Sequence, residues 1–229
     1  MKGGIAVERY HKACREVVRV AQAMYEQGLV VGTWGNVSAC LPGREEVVIT
    51  PSGMDYTRLS PEDMVIIDLE GRKTHGKWKP SVEVPLHLAI YRARPDIWGV
   101  VHVHSIAASA FAVARMAIPP ALEETAQLIG GEVEVAEYQP PGTRRLARAA
   151  VEALGQKNAV LLANHGLVGV GADVDRALKA CLVAEKTAQV TIYARMLGQV
   201  NFLSPEEVRV LAEGFKHYGQ VKENESGRE

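Results

Sequence analysis

Apolar residues at Val7, Tyr10, Cys14, Val17, Val18, Ala21, Met24 and Tyr25 recur at the spacing of one helical face, and Gly28 stands where a C-terminal cap belongs. A first helix is predicted there. The pattern then shortens: "GTWGNVSACL", "EVVITPSG" and "MVIIDLEGRKTHGKWKP" set brief β-prone runs between Gly, Pro and Asp turns, the mark of a meander. In "PSVEVPLHLAIYRARPD", Val84, Leu88 and Tyr91 share a face, Ser81 holds the N-cap position and Pro95 lies past the end. A short helix is predicted, with Pro85 tolerated in its first turn. Next come strand "WGVVHVH", helix "SIAASAFAVARM", a Pro-Pro turn, helix "LEETAQLIGG", strand "EVEVAEY" and helix "TRRLARAAVEAL". Strands "NAVLLANHG" and "LVGVG", a long helix over 173–197 and a last one over 205–218 complete the order. Helices and strands alternate without a linker, which predicts one α/β domain over residues 1–219, a mixed sheet between helical layers, and a polar, loose tail over 220–229.

Composition narrows the class of function. At 229 residues, 47% of them hydrophobic, the chain can bury a core unaided. A formal net charge of -1 offers no electrostatic attraction for nucleic acid or an anionic membrane, so a small molecule is the expected partner. Cys14, Cys40 and Cys181 are odd in number and form no CxxC pair, which argues against a disulfide framework or a thiolate zinc site and fits the cytoplasm. Glu8, Arg9, Lys12, Arg15 and Glu16 occupy the region where a signal peptide would need an apolar run. The most apolar stretch, 97–122, is broken by His102, His104, Ser105, Ser109, Arg115 and Pro119, so no membrane span is predicted.

Within "VVHVHS", His102 and His104 are spaced i, i+2 on a predicted strand, which points both imidazoles to one face. A third, His165, ends the apolar run "AVLLANHG". Neutral imidazole is the commonest protein ligand for zinc-like metals, so the three together make a metal site possible, whereas each alone fits a core histidine bonded to a carbonyl. A cupin-like pattern would require a glutamate soon after the second histidine, and "SIAASAF" has none. A carboxylate could instead come from Glu83, in the first turn of the preceding helix, as ligand, general base or both in turn. Two bland alternatives stand beside that: acidic residues suit first turns, and Glu83 could pair with His87 at i, i+4.

The turns before Glu83 carry Thr33, Gly35, Asn36, Thr50, Ser52, Gly53 and Ser81, small groups with hydroxyls, amides or open backbone N–H. With a helix N-terminus they can cradle a phosphate without a lysine, although each alone is an ordinary turn residue.

The ordered set "GNVS", "TPSG", "PSVE", "HVHS" and "NHGL" resembles the class II aldolase/adducin family, most closely its sugar-phosphate aldolase branch, over almost the whole chain. The resemblance implies a three-layer α/β/α domain with a central mixed, largely antiparallel sheet, in a homotetramer with active sites at subunit interfaces. It implies one zinc ion per subunit on His102, His104 and His165, with Glu83 as fourth ligand at rest and as acid/base in turnover. It implies a substrate phosphate held by Gly35, Asn36, Ser52, Gly53, Ser81 and the Val82 backbone, with Thr33 nearby, and Tyr218 bonded to the developing aldehyde oxygen. The implied reaction cleaves a ketose 1-phosphate, such as L-fuculose 1-phosphate or a related deoxy-ketose, to dihydroxyacetone phosphate and an aldehyde through a metal-stabilised enediolate.

This chain departs from the family pattern in two places. The commoner "SSE" is "SVE", so Val82 offers an N–H but no hydroxyl, and "IPPALEETAQ" has Glu123 and Glu124 near where a tyrosine reaches a neighbouring active site. Both bear on which sugar is taken more than on the reaction class. Within the family, methylthioribulose-1-phosphate dehydratase and pentulose-phosphate 4-epimerase are the alternatives, the latter commonly with aspartate where Glu83 stands. A non-catalytic adducin-like binding module is the alternative of another class.

Overall fold

A computed structural model describes the backbone of residues 2–215 and the side chains of residues 10–215. The proposed tail over 220–229, Tyr218 and the predicted end of the last helix lie outside the described residues.

Short apolar runs form the strands β1 (Asn36–Cys40), β2 (Glu46–Ile49), β3 (Val65–Asp68), β4 (Lys73–His75), β5 (Gly99–Val103), β6 (Val135–Ala136), β7 (Ala159–Leu162) and β8 (Gly166–Gly171). The longer periodic segments form the helices α1 (Lys2–Glu26), α2 (Val84–Ala93), α3 (Ile106–Ala114), α4 (Glu123–Ile129), α5 (Arg144–Leu154), α6 (Val174–Leu197) and α7 (Pro205–Phe215). The strands join in one sheet of order β4-β3-β2-β1-β5-β8-β7-β6. Every pairing is antiparallel except β6 with β7. The sheet is therefore mixed and largely antiparallel, as the resemblance implies.

Alternation along the strands separates two cores. Val37, Val48, Ile66, Val101, Val103, Leu161 and Leu167 join residues of α1, α3 and α6 in one cluster. Val47, Ile49, Ile67, Val100, Val160, Leu162 and Val168 join Leu86 and Ile90 of α2 and Leu146 and Leu154 of α5 in the other. With both faces covered, the central strands read as nearly continuous apolar runs.

Two expectations shift. The run "EVEVAEY" yields only the two-residue β6, because Val133 bridges to Ile118 while Val135 and Ala136 pair with β7; the segment changes partner halfway. Ser81 is not the N-cap of α2, a position held by Glu83. The Ser81 hydroxyl accepts from the Glu83 N–H at 3.2 Å, closing a turn before the helix begins. Glu83 thus sits at the mouth of α2 with non-helical φ and ψ, and its buried side chain reaches Asn36 of the sheet.

Candidate active site

Register brings the polar residues together. Asn36 of β1 lies directly opposite His102 of β5, so their side chains share the face that α2 covers. The turn after β2 is fastened to the chain entering α2: the Ser52 N–H donates to the Lys79 carbonyl at 3.0 Å and the Ser81 N–H to that of Thr50 at 3.1 Å. Gly35 takes φ +85°, and a Cβ there would lie 2.6 Å from the His102 carbonyl oxygen, so only glycine lets the loop press against β5. Tyr56, buried, donates its hydroxyl to the Gly35 carbonyl at 2.5 Å and secures the loop from the other side.

A cavity of about 550 Å³ opens where these turns meet. Thr33, Gly35, Asn36, Ser52, Gly53, Ser81 and Val82 all line it, together with Glu83, His104 and His165. His102 forms the floor beneath, fully buried.

The three histidines converge, with one nitrogen of each lying within 4.8 Å of the others. The Nε2 atoms of His102 and His104 are 2.9 Å apart. His102 Nδ1 lies 3.0 Å from the Leu167 carbonyl; bonding there makes Nδ1 the donor and leaves the Nε2 lone pair facing the site. His165 stands in the turn between β7 and β8, just beyond the strand rather than in it. At Gly166 a Cβ would fall 2.4 Å from the Val103 carbonyl oxygen and 3.1 Å from the His104 ring, so glycine there makes room for the imidazoles. Glu83 completes the group, with Oε2 3.1 Å from His102 Nε2 and Oε1 3.6 Å from His165 Nε2.

Electrostatics suit a cation. Burial, reinforced by the neighbouring imidazoles, pushes His104 down to about 3, and burial with His102 pushes His165 down to about 4, so both are neutral near pH 7. Burial alone would raise Glu83, but the His102 and His165 imidazoles and the Asn36 amide outweigh it and hold the carboxyl at about 2. Three imidazoles and one carboxylate form the donor set of a divalent transition metal. Glu83 Oε1 and His165 Nδ1 are buried without a hydrogen-bond partner, a cost that metal ligation can relieve at the carboxylate. The residues present therefore fit a metal ion.

The i, i+4 spacing suggests that His87 pairs with Glu83, but in the structure the His87 ring bonds elsewhere. His87 is fully buried; its Nε2 meets Asn36 Oδ1 at 2.5 Å and its Nδ1 meets the Ser38 hydroxyl at 2.6 Å. Asn36 in turn donates to Glu83 Oε2 at 2.9 Å. Other features had no local signal: Tyr56 behind the Gly35 loop, Trp34 with its ring centroid 5.8 Å from that of His104, and Tyr138 on the cavity rim. Glu123 and Glu124 start α4 away from this cavity, Glu124 paired with Lys186 of α6.

Known proteins carry the same architecture. Residues 15–192 match the class II aldolase and adducin N-terminal domain. A 5-deoxy-D-ribulose 1-phosphate aldolase from Bacillus thuringiensis is 37% identical over 209 residues, covering 91% of this chain and 98% of its own. An L-ribulose-5-phosphate 4-epimerase from Salmonella typhi is 35% identical over 179 residues, 73% of this chain and 78% of its own. Among solved structures, an L-fuculose 1-phosphate aldolase superposes with a TM-score of 0.86 at 33% identity, covering 90% of this chain and 96% of its own. The convergent histidines, the buried carboxylate above them and this likeness over nearly the full length agree: the chain belongs to the class II aldolase and adducin family, a family of metal-dependent carbon–carbon lyases and their relatives.

Proposed function

We propose that the chain is a zinc-dependent aldolase that cleaves a ketose 1-phosphate, L-fuculose 1-phosphate or a related deoxy-ketose 1-phosphate, to dihydroxyacetone phosphate and an aldehyde. The observation that carries this reading is the union, in one cavity, of the three-histidine cluster, the Glu83 carboxylate and six small turn residues that, with the Val82 backbone, suit a phosphate. His102, His104 and His165 would hold the ion, with Glu83 as fourth ligand at rest. Once bound, zinc would supply Lewis-acid polarisation of the substrate carbonyl and stabilise the negative charge left when the C3–C4 bond breaks.

The protein's own groups do the rest. Ser52 and Ser81 hydroxyls, the Asn36 amide and backbone N–H groups around Gly35, Gly53 and Val82 bind the phosphate, with Thr33 at the edge, and so place C3 near Glu83. Glu83 Oε2 is engaged by Asn36, which leaves Oε1 to move the proton. In cleavage the ionised carboxylate takes up the proton that the C4 hydroxyl releases as the C3–C4 bond breaks and the aldehyde carbonyl forms, and delivers it to C3; in condensation it takes the proton from C3 and returns it to the new C4 hydroxyl. Tyr218 would hydrogen-bond the aldehyde oxygen.

We extend the reading to a cytoplasmic homotetramer with active sites between subunits. Val31, Trp34, Ile106, Met196 and Leu197 are apolar yet exposed, and Trp34 borders the cavity itself. Such residues are suited to burial against further copies of the chain.

Zinc-loaded protein incubated with a panel of ketose 1-phosphates, with dihydroxyacetone phosphate detected through a coupled dehydrogenase, tests the reaction. Release of the triose phosphate from at least one member is expected. Water loss without cleavage, or interconversion of pentulose 5-phosphates without triose release, would replace this reading by a dehydratase or an epimerase.

A further inference from the structure

We propose that His87 is a positioning residue, which holds the Asn36 side-chain amide in the one orientation that aims its N–H at Glu83. The inference rests on the reading of Glu83 as the group that meets metal and substrate, and it assigns a role to a histidine that touches neither.

Five buried polar groups run in a line from the site into the core: Glu83, Asn36, His87, Ser38 and Tyr91. Their contacts are 2.9 Å from Asn36 Nδ2 to Glu83 Oε2, 2.5 Å from Asn36 Oδ1 to His87 Nε2, 2.6 Å from His87 Nδ1 to Ser38 Oγ, and 2.8 Å from Ser38 Oγ to the Tyr91 hydroxyl. The Tyr91 hydroxyl also lies 2.9 Å from the Ser38 carbonyl, so its single proton is shared between that oxygen and Ser38 Oγ. Because an ionised carboxylate only accepts, the atom of Asn36 facing Glu83 must be its NH₂ group, and its oxygen must face His87. His87 must then carry its proton on Nε2. A neutral ring so protonated has a bare Nδ1, which accepts from Ser38, whose hydroxyl proton is thereby spent, and Tyr91 supplies the donor at the far end. Each proton along the line follows from the one before.

The reverse arrangement shows what this prevents. Turning the amide over would set Asn36 Oδ1 against Glu83 Oε2, oxygen against oxygen, and would require the His87 proton to move to Nδ1. Without a donor at position 87 nothing opposes that turn except the carboxylate itself. The placement of Glu83 Oε2 against His102 would loosen, and with it the aim of Oε1. Loss of comparable outer groups weakens metal affinity or activity by about 10–100-fold. Ser38 and Tyr91 act one step further back, fixing the ring that fixes the amide.

Wild type, His87→Gln and His87→Leu of the full chain test this. Glutamine returns an amide N–H near the place of Nε2–H; leucine fills similar space with no donor. Long-range ¹H–¹⁵N spectra, with the His87 signals assigned by their loss in both variants, are expected to show a neutral ring protonated at Nε2. Zinc affinity, read by competition with a chromophoric chelator, is expected to fall about tenfold in His87→Leu and to stay within about threefold in His87→Gln. For triose phosphate release, kcat should fall about 10–100-fold in His87→Leu, and His87→Gln should recover most of it. A ring protonated at Nδ1, or equal losses in the two variants, would overturn the proposal. Should His87→Leu fail to fold, the tautomer and the zinc affinity of His87→Gln decide, a loss beyond about tenfold in the latter counting against it. If wild type cleaves no ketose 1-phosphate, the functional reading falls, while the tautomer and the zinc affinities still judge His87.

Discussion

Two glutamates, Glu83 and Glu185, are buried on opposite sides of the sheet, and only one of them has both carboxylate oxygens hydrogen-bonded. Glu185 projects from α6 onto the start of α3, where Oε1 accepts from the Ala107 N–H at 3.0 Å and from Gln189, and Oε2 from the Ala108 N–H at 2.8 Å. Its charge meets the positive end of a helix and both oxygens are bonded, so the group is a structural clasp. Glu83 has one oxygen held by Asn36 and the other facing imidazoles with no hydrogen-bond donor. The same residue type at similar burial completes its bonds at Glu185 and leaves one oxygen open at Glu83, the oxygen to which the proposed chemistry is assigned.

Several changes would break or sharpen this contrast. His102→Ala removes the floor of the histidine cluster and should reduce bound zinc from one per chain to none, with loss of all measurable turnover; elemental analysis and the coupled assay report both. Glu185→Ala strips two buried N–H groups of their acceptor and should lower stability by about 3 kcal/mol, measured by urea unfolding, while zinc stoichiometry stays at one. If Glu185→Ala instead lost zinc while folded, the division between clasp and site would be wrong.

Acidification should act through His87, whose burial holds it at about 3. An unfolded histidine titrates near 6.5, so from about pH 6.5 down to about 3 the unfolded chain takes up a proton that the folded one refuses. Stability therefore falls with pH in that window and is unaffected by this group above it. At pH 5 the loss attributable to His87 is about 2 kcal/mol, and the unfolding free energy of His87→Gln should fall less steeply with acid by about 1.4 kcal/mol per pH unit. His104 and His165 add slope of the same sign in metal-free protein, so the difference between wild type and variant is the quantity to read. Smallest of all, Val82→Ser restores a hydroxyl at the cavity wall, and KM for the phosphorylated substrate should fall by no more than about threefold, seen in steady-state kinetics.

Much of the molecule was legible in the chain. The i, i+2 spacing of His102 and His104 on an apolar strand already set two imidazoles on one face, and the Gly, Ser and Asn turns marked where the cavity walls would be. What spacing could not supply is register. Only the pairing of β1 with β5 sets Asn36 opposite His102 and brings Asn36 and Ser38 under His87, turning an apparent i, i+4 partner of Glu83 into a support for its neighbour. Tyr56 was silent for the same reason: its contact with Gly35 joins residues 21 apart through a turn with no repeating pattern. The shrinkage of β6 followed from a change of partner along the segment, which local propensity does not encode.

The central claim is that the open oxygen of Glu83 moves the proton beside a zinc ion held by three histidines. The most direct measurement compares zinc-loaded wild type with Glu83→Gln, reading bound zinc and triose phosphate release on the same samples. The account predicts one zinc per chain in both proteins and turnover lowered about 10²–10⁴-fold in the variant. Equal turnover in the two, or a wild-type protein that holds no zinc, would contradict it.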